Sequence, residues 1–173
     1  QFTSPSPKYK LFKRELIEST GIAFQSVNCE ETPLFTFGNL AEAKALRLFA
    51  PLDTPPTIPQ PSFVNSLSAN RCLIESLKSL HSFLGNAHAL PSLLSTYQEA
   101  TLRLICDRLK ALRDDSVRCS ILDDMNESDY LTACQLCSQE LATDEQAIIS
   151  RADILKNALE QRAAATSSEI RVQ

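Results

Sequence analysis

The chain has 173 residues, of which 43% are hydrophobic and 22% are charged, and its net charge at pH 7 is -4. This length fits one domain of ordinary size, and the composition is too apolar for an intrinsically disordered protein. The net charge has the wrong sign for a basic nucleic-acid-binding domain, and no apolar run reaches the length of a transmembrane helix.

The N-terminal part of the chain predicts a small and irregular unit. Two Ser-Pro steps indicate an extended start over residues 1–7, and a helical apolar period then predicts one short helix. Short aromatic or β-branched runs over residues 21–29 and 33–37 predict a small hairpin or two extended segments. Asn39 predicts the N-cap of a second helix, because Glu42 follows it in capping-box spacing.

A proline-rich connector follows at residues 51–61, where five of the eleven positions are proline. No helix or central strand tolerates that density.

Beyond the connector, apolar residues recur at a helical period in five segments, which are residues 62–84, 92–113, 116–125, 128–142 and 144–162. Thr143 and Gln146 form a predicted capping box at the start of the last segment.

The predicted fold class is all-α. Each apolar face is wider than a coiled-coil seam, which favours a compact bundle of about four or five helices. The smaller N-terminal unit has two short helices and either the small hairpin or the two extended segments. We therefore divide the chain into an arm with a small helical unit at 1–50, the connector at 51–61, a helical bundle at 62–162 and a frayed tail at 163–173.

The stretch "TACQLCSQE" contains a C-x-x-C pair, Cys134 and Cys137. On a continuous helix this pair shares the apolar stripe of Tyr130 and Leu141, which predicts two small buried hydrophobes. A thioredoxin-like pair lies instead at a helix N-terminus that follows a strand. The alternative is a zinc site with Cys119 as a third ligand, but the spacing matches no strong zinc-finger pattern. We therefore predict no metal site here.

The six cysteines of the chain are an even number, which also fits a secreted disulfide framework. Their share of the sequence is low, and the chain is long enough to fold without covalent staples. We therefore expect reduced, mostly buried thiols inside a cell. The alternative is a secreted helical factor that has three disulfides and binds a receptor, and the glycosylation sequon at Asn126 permits it.

Recognisable catalytic motifs are absent from the sequence. There is no nucleophile elbow, no metalloprotease helix and no phosphate-binding loop, and the three glycines are not clustered. His81 shares a helical line with Ile74 and Leu77, which predicts a position at the edge of the core, and His88 lies in a predicted turn. We therefore expect no catalytic activity and no cofactor.

Charge is distributed unevenly along the chain. Residues 1–14 carry four basic side chains and no acidic one, which are Lys8, Lys10, Lys13 and Arg14. Residues 119–150 carry seven acidic side chains and no basic one, and the first four are Asp123, Asp124, Glu127 and Asp129. These are either two solvated faces that dock on each other, or an acidic surface for a basic partner and an arm for another contact. Aromatic residues between the bases of the arm also suit an accessory nucleic-acid contact.

Two further patterns indicate regulation or recognition by other proteins. Pro56 and Pro59 form a P-x-x-P match of the kind that SH3-type domains bind. Four Ser-Pro or Thr-Pro steps are candidates for proline-directed phosphorylation, and their hydroxyl residues are Ser4, Ser6, Thr32 and Thr54. A phosphate beside the basic arm would reverse its local charge.

Together these observations predict a non-catalytic interaction or scaffold domain that binds another helical or basic protein surface. Because the chain begins with Gln1 rather than methionine, we expect a fragment or a subunit of a larger intracellular complex, in the cytoplasm or nucleus. The alternatives are the secreted factor and the accessory nucleic-acid-binding module.

Overall fold

The computed structural model of the chain describes residues 11–22, 33–44, 65–86 and 90–171. Within these residues there are helices and no strand, so the predicted all-α class is confirmed. In chain order the elements are α1 (Arg14–Thr20), a π-helical turn (Leu34–Gly38), α2 (Asn39–Ala41), α3 (Leu67–Asn86), α4 (Leu90–Ala111), α5 (Asp115–Glu127), α6 (Tyr130–Ala133), a 3₁₀ turn (Ser138–Glu140) and α7 (Gln146–Arg171).

The four long helices form a bundle in which α3 and α7 each pack against both α4 and α5. Helices α5 and α7 are antiparallel, because Asn126 Nδ2 donates to Leu159 O and Arg162 donates to Asp123. The apolar face of each helix lies inside this arrangement, as the helical period predicted. The side chains that are most completely enclosed include Leu77, Leu102, Ile105, Ile121, Met125, Leu136 and Leu155.

The N-terminal elements pack on α3 in a way that the sequence did not predict. Residues 33–37 are helical rather than extended, so the predicted hairpin is wrong over its second half, while residues 23–29 lie outside the described residues. The backbone N–H of Leu34 donates to Ser76 Oγ at 3.1 Å, which fixes the π-helical turn against α3. A Cβ at Gly38 would lie 2.7 Å from Ile22 Cδ1, so a larger residue here would require the end of the Ile22 side chain to move.

The predicted capping role of Asn39 is also wrong. The helical backbone has already begun before this residue, and Asn39 is fully buried. Its side chain joins the two N-terminal elements, because Nδ2 donates to Phe35 O at 2.7 Å and Oδ1 accepts from the hydroxyl of Thr20 at 2.8 Å. The segment ends at Ala41, so Glu42 is its C-cap and not the partner in a capping box.

The predicted helix over residues 128–142 is replaced by two short turns joined by irregular backbone. Helix α6 ends at Ala133, and Gln135 has a positive φ of 54°. The N–H of Leu136 reaches back to Leu131 O at 2.7 Å, which closes the helix in the manner of a Schellman cap. This turn carries Leu136 into the core, where a continuous helix would have directed it away from the face of Cys134.

One buried amide holds this irregular segment to the bundle. Gln98 on α4 is fully enclosed, and its Nε2 donates to Gln135 O at 2.7 Å and to Glu140 O at 3.0 Å. Its Oε1 accepts from the N–H of Ala142 at 3.0 Å. Three backbone groups that lack helical partners are therefore satisfied by one side chain, which removes the cost of burying them unpaired.

Helix α7 begins later and ends later than predicted. The hydroxyl of Thr143 accepts from the N–H of Glu145 at 3.2 Å, and the helix starts at Gln146. It continues to Arg171, so the predicted end at residue 162 and the frayed tail beyond it are wrong for the described residues. Arg162 explains the extension in part, because it forms a bidentate ion pair with Asp123 and fixes the helix beyond its apolar stripe.

We predict that Gln98→Leu lowers the free energy of unfolding by about 3 kcal/mol, because three backbone groups lose their partner. Denaturant unfolding measures this change, and hydrogen exchange should show faster exchange at Ala142. The matched control is Gln161→Leu on the exposed face of α7, which should change the stability by less than about 0.5 kcal/mol. Equal effects of the two substitutions would contradict the role of Gln98.

Candidate functional site

A cleft of about 280 Å³ lies between α5, α6 and α7. Its floor is apolar, because Met125, Tyr130 and Leu159 line it and are almost fully buried. Its wall and rim contain partly exposed or polar residues, which are Asn126, Asp129, Leu131, Thr132, Cys137, Gln139, Lys156, Glu160 and Ala163. An apolar floor with a polar rim is a common form of binding sites in proteins.

The local backbone explains why the cleft exists. Asp129 has a positive φ of 47° at the joint between α5 and α6, and Gln135 is left-handed at the end of α6. These two residues turn the chain sharply on either side of a single helical turn, and the Tyr130 hydroxyl fixes that turn by donating to Ile74 O at 3.2 Å. The chain therefore steps away from α7 here, and the space between them stays open.

Negative charge predominates around the cleft. Asp129 and Glu160 line it, and Lys156 is the basic residue of the lining, with Nζ 3.8 Å from Glu160 Oε1. Burial raises the pKa of the Cys137 thiol, and the nearby carboxylates of Glu140 and Asp129 raise that pKa further. Asp129 and Glu160 thus line the cleft and Glu140 lies close to Cys137 of the lining, whereas Lys156 supplies one ammonium group.

The structure separates the acidic residues predicted for a partner surface into two groups. Asp123 accepts two bonds from Arg162, at 2.8 and 2.9 Å, and Asp124 accepts two from Arg71, at 2.6 and 3.0 Å. These pairs join α5 to α7 and to α3, so both aspartates stabilise the bundle instead of facing a partner. Five exposed carboxylates make no ion pair with a described residue, and they are Glu127, Asp129, Glu140, Asp144 and Glu145.

The basic arm is described only at its end. Arg14 pairs with Glu18 on α1, with Nε 2.7 Å from Oε1. Lys13 is exposed and precedes α1 in extended backbone. The other residues predicted for partner binding or phosphorylation lie outside the described residues, and they are Lys8, Lys10, Pro56, Pro59, Ser4, Ser6, Thr32 and Thr54.

The two cysteines of the C-x-x-C pair have different environments. Cys134 is fully buried, as the packing interpretation predicted, and burial raises the pKa of its thiol. Cys137 is only half-buried and lines the cleft, so the prediction of a shared helical stripe is wrong for this residue. The αL turn at Gln135 separates them. A raised thiol pKa is the opposite of what a reactive C-x-x-C motif needs.

The cysteines also differ from both expectations about their oxidation state. Cys72 is disulfide-bonded, so the expectation that all six thiols are reduced is wrong. The cysteine bonded to Cys72 lies outside the described residues. Four cysteines are free, so a framework of three disulfides is wrong as well. The free cysteines are Cys106, Cys119, Cys134 and Cys137.

His81 occupies the half-buried position that its helical line predicted. Its Nε2 lies 3.4 Å from Gln135 Oε1, and its ring contacts Tyr97 at a centroid distance of 5.3 Å. His81 therefore supports the αL turn at Gln135. His88 lies outside the described residues.

Sequence reasoning missed most of the cleft. Tyr130 was predicted only as part of an apolar stripe, Met125 and Leu159 lie in predicted helical segments, and Lys156 and Glu160 were not singled out. Lys156 and Glu160 are about one turn apart along α7, which places them on one helix face. Nothing in the sequence shows that the chain opposite that face is not a continuous helix.

Within the described residues, no three histidine, cysteine, aspartate or glutamate side chains are grouped closely enough to hold a metal ion, so the alternative zinc set of Cys119, Cys134 and Cys137 is not assembled. None of the described helices combines the length and the apolar composition needed to cross a membrane.

Comparisons with known proteins found no matching family model, curated protein or solved structure.

We predict that Asp123→Asn destabilises the protein by about 1 kcal/mol or less at pH 7 and has little effect near pH 2. Arg162 lowers the pKa of Asp123 in the folded state. Its contribution is therefore present above the unfolded pKa of about 3.9 and is lost as the pH falls through the lower folded value. Denaturant unfolding at both pH values measures the difference.

The control for this prediction is Asp153→Asn, which removes an exposed carboxylate of α7 that makes no ion pair with a described residue. It should leave the stability unchanged within about 0.5 kcal/mol at both pH values. A loss for Asp123→Asn that persists at the acidic pH would show that packing, and not charge, is responsible.

We predict a second, independent result for the thiols. Alkylation of the denatured chain without reductant should modify the four free cysteines, and alkylation after reduction should modify all six. Intact mass measures both counts. Six modified cysteines without reductant would contradict the disulfide at Cys72, and fewer than four would contradict the free thiols of the bundle.

Proposed function

We propose that this chain is a non-catalytic protein–protein interaction domain that serves as a scaffold or subunit of a larger assembly. The single observation that supports this proposal is the acid-rimmed apolar cleft between α5 and α7. An apolar floor gives affinity through burial, and the exposed carboxylates at the rim favour a partner of positive charge.

The polar groups inside the bundle favour this proposal over catalysis. The side-chain amide of Gln98 is hydrogen-bonded to backbone groups, and the His81 ring contacts Gln135. The hydroxyls of Tyr97 and Tyr130 donate to carbonyls of α3. Each of these side chains has a structural partner. At the cleft, Asp129 is exposed and makes no ion pair with a described residue, and Glu160 has only an exposed contact to Lys156 at 3.8 Å, so these carboxylates are the groups that a binding surface can use.

The charge of the site also favours a basic protein segment over a nucleic acid. Asp129, Glu140 and Glu160 would repel a phosphate backbone, and Lys156 is adjacent to Glu160. A helix or extended segment that presents an apolar side chain between lysines or arginines satisfies both parts of the cleft.

The disulfide at Cys72 favours a second candidate function, a secreted helical factor. Disulfides persist in oxidising compartments and are rare in the cytosol. Such a factor would carry one disulfide within the chain, since four of the six cysteines are free. The same cleft would then serve as its receptor contact, so the two candidates differ in compartment and not in the surface used.

The side-chain amide of Asn126 bears on this second candidate. Its Nδ2 donates to Leu159 O at 3.1 Å and joins α5 to α7. Glycosylation would replace one of the two hydrogens on this nitrogen and place a sugar at the edge of the cleft. A secreted form that binds through the cleft should therefore carry an unmodified Asn126, which intact mass would detect.

The test uses a synthetic amphipathic peptide of lysine and leucine, with a glutamate and leucine peptide as its control. We predict that the basic peptide binds, that salt weakens it, and that Asp129→Asn with Glu160→Gln lowers the affinity by about fivefold to tenfold. Asparagine tolerates the positive φ of residue 129, so this substitution removes charge without added strain. Fluorescence anisotropy measures the affinity.

The matched control is Glu99→Gln, which removes an exposed carboxylate of α4 that does not line the cleft. It should leave the affinity unchanged within about twofold. Equal binding of both peptides, or equal affinity for the double variant and the control, would overturn the proposal.

A further inference from the structure

Leu11 has an unusual position for a large apolar side chain. It is 90% exposed, and the other exposed large apolar residue among those described is Ile154, at 53%. The adjacent residue, Phe12, packs edge-on against Phe35 with a centroid distance of 5.3 Å. Residues 11–13 precede the helix, and Leu11 lies in solvent beside the anchored Phe12.

The charges next to Leu11 are complementary to the cleft. Lys13 is exposed and makes no ion pair with a described residue, whereas Arg14 is occupied by Glu18. The sequence also places Lys10 immediately before Leu11. In the sequence, one apolar residue therefore lies between two cationic residues, and residues 10–13 contain no carboxylate.

The segment is also partly ordered before it binds. Lys13 is the N-cap of α1, with φ of -65° and ψ of 137°, and the ring of Phe12 is anchored on Phe35. A side chain that is already held outward loses little conformational freedom on binding. This lowers the cost of inserting Leu11 into a cavity.

We propose, on the basis of the proposed function, that the cleft of one chain binds Leu11 of a second copy of this chain, with Lys13 of that copy beside Asp129 and Glu160. Leu11 does not occupy the cleft of its own chain, because it is exposed there. The contact joins two different surfaces and is therefore head-to-tail. It buries one apolar side chain, so the association is weak and depends on concentration and salt.

The experiment is sedimentation velocity of the full chain from micromolar to millimolar concentration, at low and at high salt. We expect dimers and larger species to form as the concentration rises and to dissociate in salt. Leu11→Glu should raise the dissociation constant at least tenfold, because the apolar contact is worth more than about tenfold in affinity. Ile154→Glu, the matched control, should leave it unchanged within about twofold.

A second variant blocks the other half of the contact. Ala163→Trp fills the cleft from an exposed position of α7, and Ala165→Trp adds the same side chain on the same helix outside the lining. Only the first should abolish association. A mixture of the Leu11→Glu and Ala163→Trp chains should restore a heterodimer, because one retains the cleft and the other retains Leu11.

Each remaining outcome overturns the inference. If the unmodified chain stays monomeric while the lysine and leucine peptide binds the cleft, the occupant is another protein and the proposed function stands. If Leu11→Glu raises the affinity for that peptide without any change in oligomeric state, the segment binds its own cleft. If the chains associate but neither Leu11→Glu nor Ala163→Trp affects association, another surface is responsible.

Discussion

Over the segment between α6 and α7, the buried side chain of Gln98 provides hydrogen bonds that regular secondary structure would otherwise provide. Its three hydrogen bonds satisfy backbone groups of Gln135, Glu140 and Ala142 that no helix pairs. Without them the segment would bury unpaired carbonyls, at a cost of about 1–3 kcal/mol for each group. Together with the bond from the Tyr130 hydroxyl to Ile74 O, this amide fixes the chain around α6 and therefore the cleft beside it.

The energies involved explain why the chain accepts a left-handed glutamine. A positive φ at Gln135 costs about 1–2 kcal/mol. The turn that it makes encloses Leu136 completely, and burying such a side chain contributes about 1.5–3 kcal/mol. Gln98 adds further stabilisation, and His81 contacts the side chain of Gln135 at 3.4 Å. Burial and hydrogen bonding together exceed the strain, so the helix ends.

The two adjacent aspartates of α5 illustrate how structure and binding share one acidic stretch. Asp123 and Asp124 point to opposite neighbours, α7 and α3, and each receives a bidentate arginine. Their charges are balanced within the bundle. The carboxylates that follow, beginning with Glu127, are exposed and unpaired within the described residues. Tertiary contacts thus divide this run of acidic residues into two that form ion pairs between helices and five that remain exposed.

The sequence by itself determined the all-α class and the approximate positions of α3, α4, α5 and α7, because a helical apolar period depends only on neighbours three and four residues apart. It also determined the uneven distribution of charge. Only the tertiary structure decided where α6 ends, which of the two cysteines in the C-x-x-C pair is buried, and which carboxylates remain free. Those outcomes depend on Gln98, Arg71 and Arg162, which lie about forty to fifty residues away in sequence. No local pattern records contacts made over that separation.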